Sequence, residues 1–198
     1  RHIQPTHENF EATMKPKMLA HYRKSGLSDD EISLFRETMA DAKKQITTLE
    51  EYFTENPKLR AVNLNHDTLN ISKALFANIV KEPQRLNEAG DFLYKHLPKL
   101  TEIAHQYRLI STHEVKTKDT YAVMDRSIEV MAMLSESIRR DYTQFVKKDL
   151  DRLQDEIDVE HQHLQSEKTV LKMQEQLNKV DADYQVARQK ATHHEEEL

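Results

Sequence analysis

The densest group of side chains able to do chemistry in this chain is a row of carboxylates, Asp149, Asp151, Asp155 and Asp158. On a helix Asp151, Asp155 and Asp158 stand at i, i+4 and i+7. They share one face there, and hard oxygen donors so placed suit a divalent cation such as Mg²⁺. Leu150, Leu153 and Ile157 bear on that reading. With these three facing a core, the carboxylates point outward, and an outward row on a charged helix is ordinarily solvated surface. Histidine supplies a second constellation. Glu102 with His105, and Glu160 with His163, are both Glu-x-x-His, the spacing used in carboxylate-bridged di-iron bundles. A complete site of that type needs two further inward glutamates, for which Glu88 and Glu114 stand only by assumption. Surface histidines on a chain with 11 of them explain the spacing as well. Arg139-Arg140 and Lys147-Lys148 could hold an anion, but Asp141 and Asp149 beside them fit ion pairs within one helix. Nucleophilic catalysis has less support, since the chain has no Cys and no Gly-x-Ser-x-Gly elbow.

The elements that must position these groups follow from a shortage of turn formers. The 198 residues include two Gly and five Pro, against about 7 % Gly in ordinary chains. All five prolines lie at or before Pro98, and both glycines precede it. Few turns in a chain this long mean long helices. The expected fold is therefore all-α, an elongated antiparallel helical bundle of about five helices with a long C-terminal coiled-coil-like helix. A β-sandwich, a doubly wound α/β fold and a Gly-rich phosphate loop are excluded on the same ground.

Three regions are expected. Residues 1–26 form a basic N-terminal segment, with Arg1, Lys15, Lys17, Arg23 and Lys24 against Glu8 and Glu11. That is a net +3, so the remainder of the chain carries −8. A short helix is predicted from Pro16 to Ser25, stopped by Gly26, with Met14, Met18, Leu19 and Tyr22 on one face. This segment reads either as a membrane-proximal basic helix or as a small packing helix. Residues 27–164 form the bundle. It opens on a capping box, Ser28 with Glu31, flanked by Leu27 and Ile32 as a hydrophobic staple. Ile32, Phe35, Met39, Ala42, Ile46, Leu49 and Phe53 then step by threes and fours, a core stripe that ends before Asn56-Pro57. Residues 58–67 read as a polar connection, and a shorter helix stops near Pro83. A stretch from Gln84 to Ile110 is expected to kink or split at Pro98, and Thr112–Lys118 is the last loop.

The final seam begins at Met124, Ile128, Met131, Ser135, Ile138, Tyr142 and Phe145, then continues through Leu150, Leu153, Ile157 and Leu164 after a five-residue step. Residues 165–198 form a charged helical extension. Its stripe, Val170, Met173, Leu177, Val180 and Tyr184, is heptad-regular but out of phase with Leu164. Near Glu167 the helix therefore either changes partner or breaks. This stripe is the candidate interaction seam.

A net charge of −5 argues against a nucleic-acid partner. The absence of Cys suits a reducing compartment and excludes disulfides and thiolate zinc sites. The longest apolar run, Val130–Leu134, falls far short of the roughly 20 residues of a membrane-spanning helix.

The segment Asp91-Phe92-Leu93-Tyr94-Lys95-His96-Leu97-Pro98 leads to Tyr107 and Thr117. With the run Phe145–Glu160 it resembles the XpaC-like family, named for 5-bromo-4-chloroindolyl phosphate hydrolysis. The resemblance covers roughly 75 residues, from Asp91 to Leu164, and consists of helical spacing and acidic punctuation. It implies a helical bacterial module, often placed in the cytoplasm behind a hydrophobic N-terminal segment. Its expected company is a helical protein of the TelA-like toxic-anion-resistance family. Arg1 would then follow a removed anchor, and the basic first 26 residues agree with the positive-inside tendency. The charged tail beyond Leu164 departs from the family pattern. The family name also implies phosphate-ester hydrolysis, which would need a metal or basic groups around the phosphoryl oxygens.

Two functions are therefore expected. The first is a helical interaction or scaffold module, cytoplasmic and close to a membrane, that binds a helical partner or itself and needs no cofactor. The alternative is a metal-dependent phosphate-ester hydrolase working from the Asp151, Asp155 and Asp158 face, with Mg²⁺ as its cofactor.

Overall fold

Helix boundaries in this chain are set by short-range groups that satisfy the free N–H and C=O ends. The computed structural model describes residues 15–197, so Met14 lies outside the described residues. Helix α1, Pro16–Lys24, has Pro in its first turn and ends in a left-handed stop at Gly26, where φ is +85°. The N–H of Gly26 donates to the Arg23 carbonyl (3.0 Å), and that of Leu27 donates to the Tyr22 carbonyl (3.2 Å). This doubly bonded end needs a residue without a Cβ penalty at Gly26. Helix α2, Asp29–Glu55, starts on the expected capping box. The Glu31 N–H donates to Ser28 Oγ (3.3 Å), and the Ser28 N–H donates back to the Glu31 carboxylate (3.4 Å).

Of residues 58–67, expected as a connection, all but Asp67 are helical. Helix α3, Pro57–His66, begins immediately after α2 because Asn56 Oδ1 accepts the N–H groups of Lys58 (3.0 Å) and Leu59 (3.2 Å). Asn-Pro therefore closes one helix and opens the next, with Pro57 at a position that needs no N–H. Leu59 and Val62 turn inward. Asp67, left-handed at φ 53°, joins α3 to helix α4, Thr68–Lys81.

Pro83–Ala89 form a 3₁₀ turn, and Phe92–His96 form a π-helical turn leading into helix α5, Leu97–Ser111. Pro98 gives no N–H to the carbonyl of Tyr94, and its ring crowds that carbonyl. The widened turn, in which the Leu97 N–H reaches the Phe92 carbonyl, accommodates the proline without ending the helix. The loop after α5 forms without Gly or Pro. Thr112 Oγ1 donates to the Leu109 carbonyl (2.7 Å), and Thr117 and Thr120 exchange backbone-to-hydroxyl bonds at 3.1 and 3.2 Å. Helix α6 then runs unbroken from Lys118 to Glu196, so the phase slip near Glu167 is not a break. No strand occurs among the described residues, and the fold is all-α.

The described residues fall into two units, one ending at Val146 and the other beginning at Lys147. Within the first, α2 and α4 run in opposite directions, with Glu50 against Lys73 (2.9 Å) at one end and Phe35 and Met39 near Phe76 and Val80 at the other. Helices α5 and α6 are also opposed, since His96 meets Asp141 while Tyr107 feels the charge of Asp125. All seven residues of the expected α2 stripe are buried, as are Met124, Met131, Ser135, Ile138 and Phe145 of α6. In the second unit every described side chain is exposed. Leu150, Leu153 and Ile157, expected to face the core, are 60, 54 and 51 % exposed. The buried seam stops at Phe145 because burial needs facing helices, and the five-residue step after Phe145 marks that change of environment.

Candidate functional site

The first candidate, the carboxylate row, lies on the second unit. Asp149, Asp151, Asp155 and Asp158 are all exposed, and Asp158 accepts from Gln154 Nε2 at 3.0 Å. Among the described residues no three His, Asp or Glu side chains converge as metal ligands. The Glu-x-x-His pairs are also separated in role. Nδ1 of His105 meets the Tyr52 hydroxyl at 2.7 Å, Glu102 pairs with Lys99 at 2.9 Å, and His163 pairs with Glu167 at 3.1 Å. Glu88 is taken by Arg85, and Glu114 is exposed.

What the structure does gather lies along α6 between Met131 and Phe145. Ser135 is buried and stands at a seam position. Its hydroxyl donates to the Met131 carbonyl (2.9 Å) and accepts from Thr68 Oγ1 (2.9 Å), which is also fully buried. One residue on, the Glu136 carboxylate accepts from His66 Nδ1 at 2.7 Å, and Arg139 donates to the His66 carbonyl at 2.8 Å. The hydrogen bond from His66 holds the Glu136 carboxyl below its usual range. Asp141 accepts from His96 Nδ1 at 2.6 Å. Burial nonetheless pushes the Asp141 carboxyl up, because desolvation outweighs the His96 hydrogen bond.

The last of these contacts gathers the most groups on one side chain. Arg85 of the 3₁₀ turn is 11 % exposed and donates Nε to Glu88 (2.6 Å), Nη1 to Glu82 (2.8 Å) and Nη2 to the Phe145 carbonyl (2.6 Å). Its guanidinium also sits 3.8 Å from the centre of the Phe145 ring. Burial works against that charge, but the two glutamates more than compensate and raise its pKa. These residues were not legible as a constellation, because Arg85, His66 and His96 lie far from their α6 partners along the chain. The hint available was Asp141, which sits three residues after the core residue Ile138 and so faces inward, toward another element rather than Arg140.

A groove of about 300 Å³ lies beside this network, lined by His66, Ala132, Met133, Glu136, Ser137 and Arg140. His66 and Glu136 in its lining are already paired with each other, and Ser137 Oγ accepts from Arg140 (3.0 Å) rather than facing a base. The network is built to tie α6 to α3, the 3₁₀ turn and the π-turn.

The second candidate, the distal stripe, keeps its helical register and is uncovered. Val170, Met173, Leu177, Val180 and Tyr184 are each between 57 and 65 % exposed. At about 100° per residue the stripe from Leu150 to Leu164 and this one lie on roughly opposite faces of the same helix. They are two separate apolar faces, and the residues named on both are more than half exposed.

The chain matches the model of the 5-bromo-4-chloroindolyl phosphate hydrolysis protein family over residues 9–160. Among curated proteins it is similar to Protein XpaC of Bacillus subtilis (strain 168), 23 % identical over 136 residues, which cover 69 % of this chain and 67 % of that protein. No solved structure matches it. The matched span takes in the α6 network and the carboxylate row but stops short of the distal stripe, and over that span the chain belongs to the 5-bromo-4-chloroindolyl phosphate hydrolysis protein family.

Proposed function

We propose that this chain is a helical interaction module of its family. Its N-terminal bundle is the shared part, and the distal part of α6 carries the binding surface. The observation that carries the reading is the row Val170, Met173, Leu177, Val180 and Tyr184, apolar at heptad spacing and more than half exposed along its length. Such a row in water costs free energy that a second helix recovers by burying it. The occupant is a helical protein, such as a TelA-like toxic-anion-resistance protein, or another copy of this chain. The module works in the cytoplasm near a membrane, with its basic N-terminal residues facing the anionic surface. No described helix is itself long and apolar enough to cross a bilayer.

The test compares the full chain with a version ending at Leu164. The full chain is expected to co-purify with the TelA-like protein or to exceed monomer mass in light scattering, and the shortened chain to do neither while keeping its bundle folded. Equal behaviour of the two refutes the module. A second reading is favoured by the family's description, namely phosphate-ester hydrolysis assisted by Mg²⁺ at Asp151, Asp155 and Asp158. It requires turnover of an indolyl phosphate that is lost in Asp155→Asn, and activity at buffer level with Mg²⁺, Mn²⁺ and Zn²⁺ removes it.

A further inference from the structure

The flanks of the distal stripe carry a charge code. With Val170, Leu177, Tyr184 and Ala191 at heptad position a, Met173, Val180 and Ala187 fall at d. The e and g positions beside them are then uniform within each heptad and alternate between heptads. They read Gln174 and Gln176, then Asp181 and Asp183, then Arg188 and Lys190, then Glu195 and Glu197. All lie on continuous helix or at its last turn, and all are exposed. Among the described residues none of Asp183, Arg188, Lys190 and Glu195 forms an ion pair within the chain.

In a parallel two-stranded coil each g residue faces the e residue of the next heptad on the other strand. Two copies in register therefore set Asp183 against Arg188 and Lys190 against Glu195, twice each by symmetry. All four contacts are attractive, and Gln176 meets Asp181 without conflict. A coil in which both strands carried the same sign throughout would have none. An antiparallel pair can also match Asp181 and Asp183 with Arg188 and Lys190. Centred between Tyr184 and Ala187, it sets Leu177 opposite His194 and Ala191 opposite Val180. The parallel register instead sets Val170, Leu177 and Val180 each against its own copy.

From this we infer that the distal part of α6 pairs with a second copy of the same chain as a parallel, in-register coiled coil, with residues 170–197 forming the seam. The inference rests on the interaction reading above and narrows its occupant to the chain itself. The stripe from Leu150 to Leu164, on the other face, stays outside the pairing.

The experiment uses the full chain and two double variants. Arg188→Glu with Lys190→Glu places acid against acid at all four contacts. Asp183→Lys with Glu195→Lys places base against base. The parent is expected at twice 23.3 kDa in sedimentation equilibrium at micromolar concentrations. Each variant should weaken association about 100-fold, from four contacts each changing sign. An equimolar mixture of the two restores opposite charges at every contact and recovers the doubled mass. Circular dichroism at the helix band checks that each variant keeps its helix.

Because the chain has no Cys, Ala191→Cys reports direction. In register, two residues at one a position lie within disulfide reach, and mild oxidation should link the chains. Glu175→Cys, on the outer face, should not link. A parent that stays monomeric, a dimer indifferent to the charge exchanges, or a dimer not linked through position 191 each overturns this inference. Binding of the TelA-like protein by a monomeric parent would overturn it while leaving the interaction reading intact. Loss of both would remove both.

Discussion

Arg85 ties the 3₁₀ turn to α6, and the cost of removing it can be worked from its contacts. It loses two carboxylate partners, a hydrogen bond to the Phe145 carbonyl and a stacked position on the Phe145 ring. Full burial of the pairs would make the loss about 3–5 kcal/mol. Glu82 and Glu88 are each about a third exposed, however. Left alone they are rehydrated, so the ion pairs themselves contribute little. The hydrogen bond to the carbonyl is worth about 1 kcal/mol, and a desolvated guanidinium–ring contact about 1–2 kcal/mol. Arg85→Met, which keeps the apolar stem, is therefore expected to cost about 2–3 kcal/mol, and Arg85→Lys about half of that. Bulk unfolding would mix the bundle with the distal helix, so amide hydrogen exchange is the suitable assay. Protection around Leu86–Leu93 and Ile138–Phe145 should fall about 30- to 150-fold in Arg85→Met. Amides beyond Leu150 should not change. A fall smaller than about threefold would show that the 3₁₀ turn is held by apolar packing alone.

Two further outcomes follow from the α6 network. Ser135→Ala leaves the buried Thr68 hydroxyl without its acceptor and is expected to cost about 1–2 kcal/mol. Adding Thr68→Val should return part of that loss, and strict additivity in a double-mutant cycle would refute the coupling. Asp141 and Glu136 should respond to pH with opposite sign. The Asp141 carboxyl is raised in the folded chain, chiefly by burial. The folded state thus holds its proton longer, and stability declines as pH rises from the ordinary carboxyl value through the raised one. Asp141→Asn, which keeps an oxygen for His96, should remove that decline and lose its advantage toward pH 4. The Glu136 carboxyl is lowered, chiefly by the His66 hydrogen bond. Its contribution is complete above the unfolded value and lost as pH falls through the folded one, so Glu136→Gln should destabilise at pH 7 and cease to differ in acid. Amide hydrogen exchange of the bundle from pH 3.5 to 7.5, corrected for the intrinsic rates, decides both, and parallel trends in the two variants would contradict the assignment.

Local signals read directly from the residues were those whose partners lie within one turn. Gly26, Ser28 with Glu31, and the α2 stripe from Ile32 to Phe53 needed nothing from the rest of the chain. Asn56-Pro57 was ambiguous for the same reason: the pair that stops one helix by short-range rules also starts another. The polar contacts were out of reach of such rules. His66 and Glu136 are 70 residues apart, and His96 and Asp141 are 45 apart. No spacing specifies which carboxylate a histidine will meet.

The shortage of Gly and Pro, the period of the apolar residues and the caps are enough to determine that this chain is all-α with a long C-terminal helix, because helix formation is governed by hydrogen bonds and side-chain neighbours three or four residues away. That this helix continues past Glu167 came from the structure. Only the tertiary structure decided where the last helix stops being core. The seam from Met124 to Phe145 and the rows beyond Leu150 are written in the same apolar alphabet. Burial depends on whether another helix stands opposite, and that depends on how distant segments are brought together. Packing therefore makes Phe145 a bundle residue held by Arg85, and it leaves Leu177, with the same periodic setting, facing water.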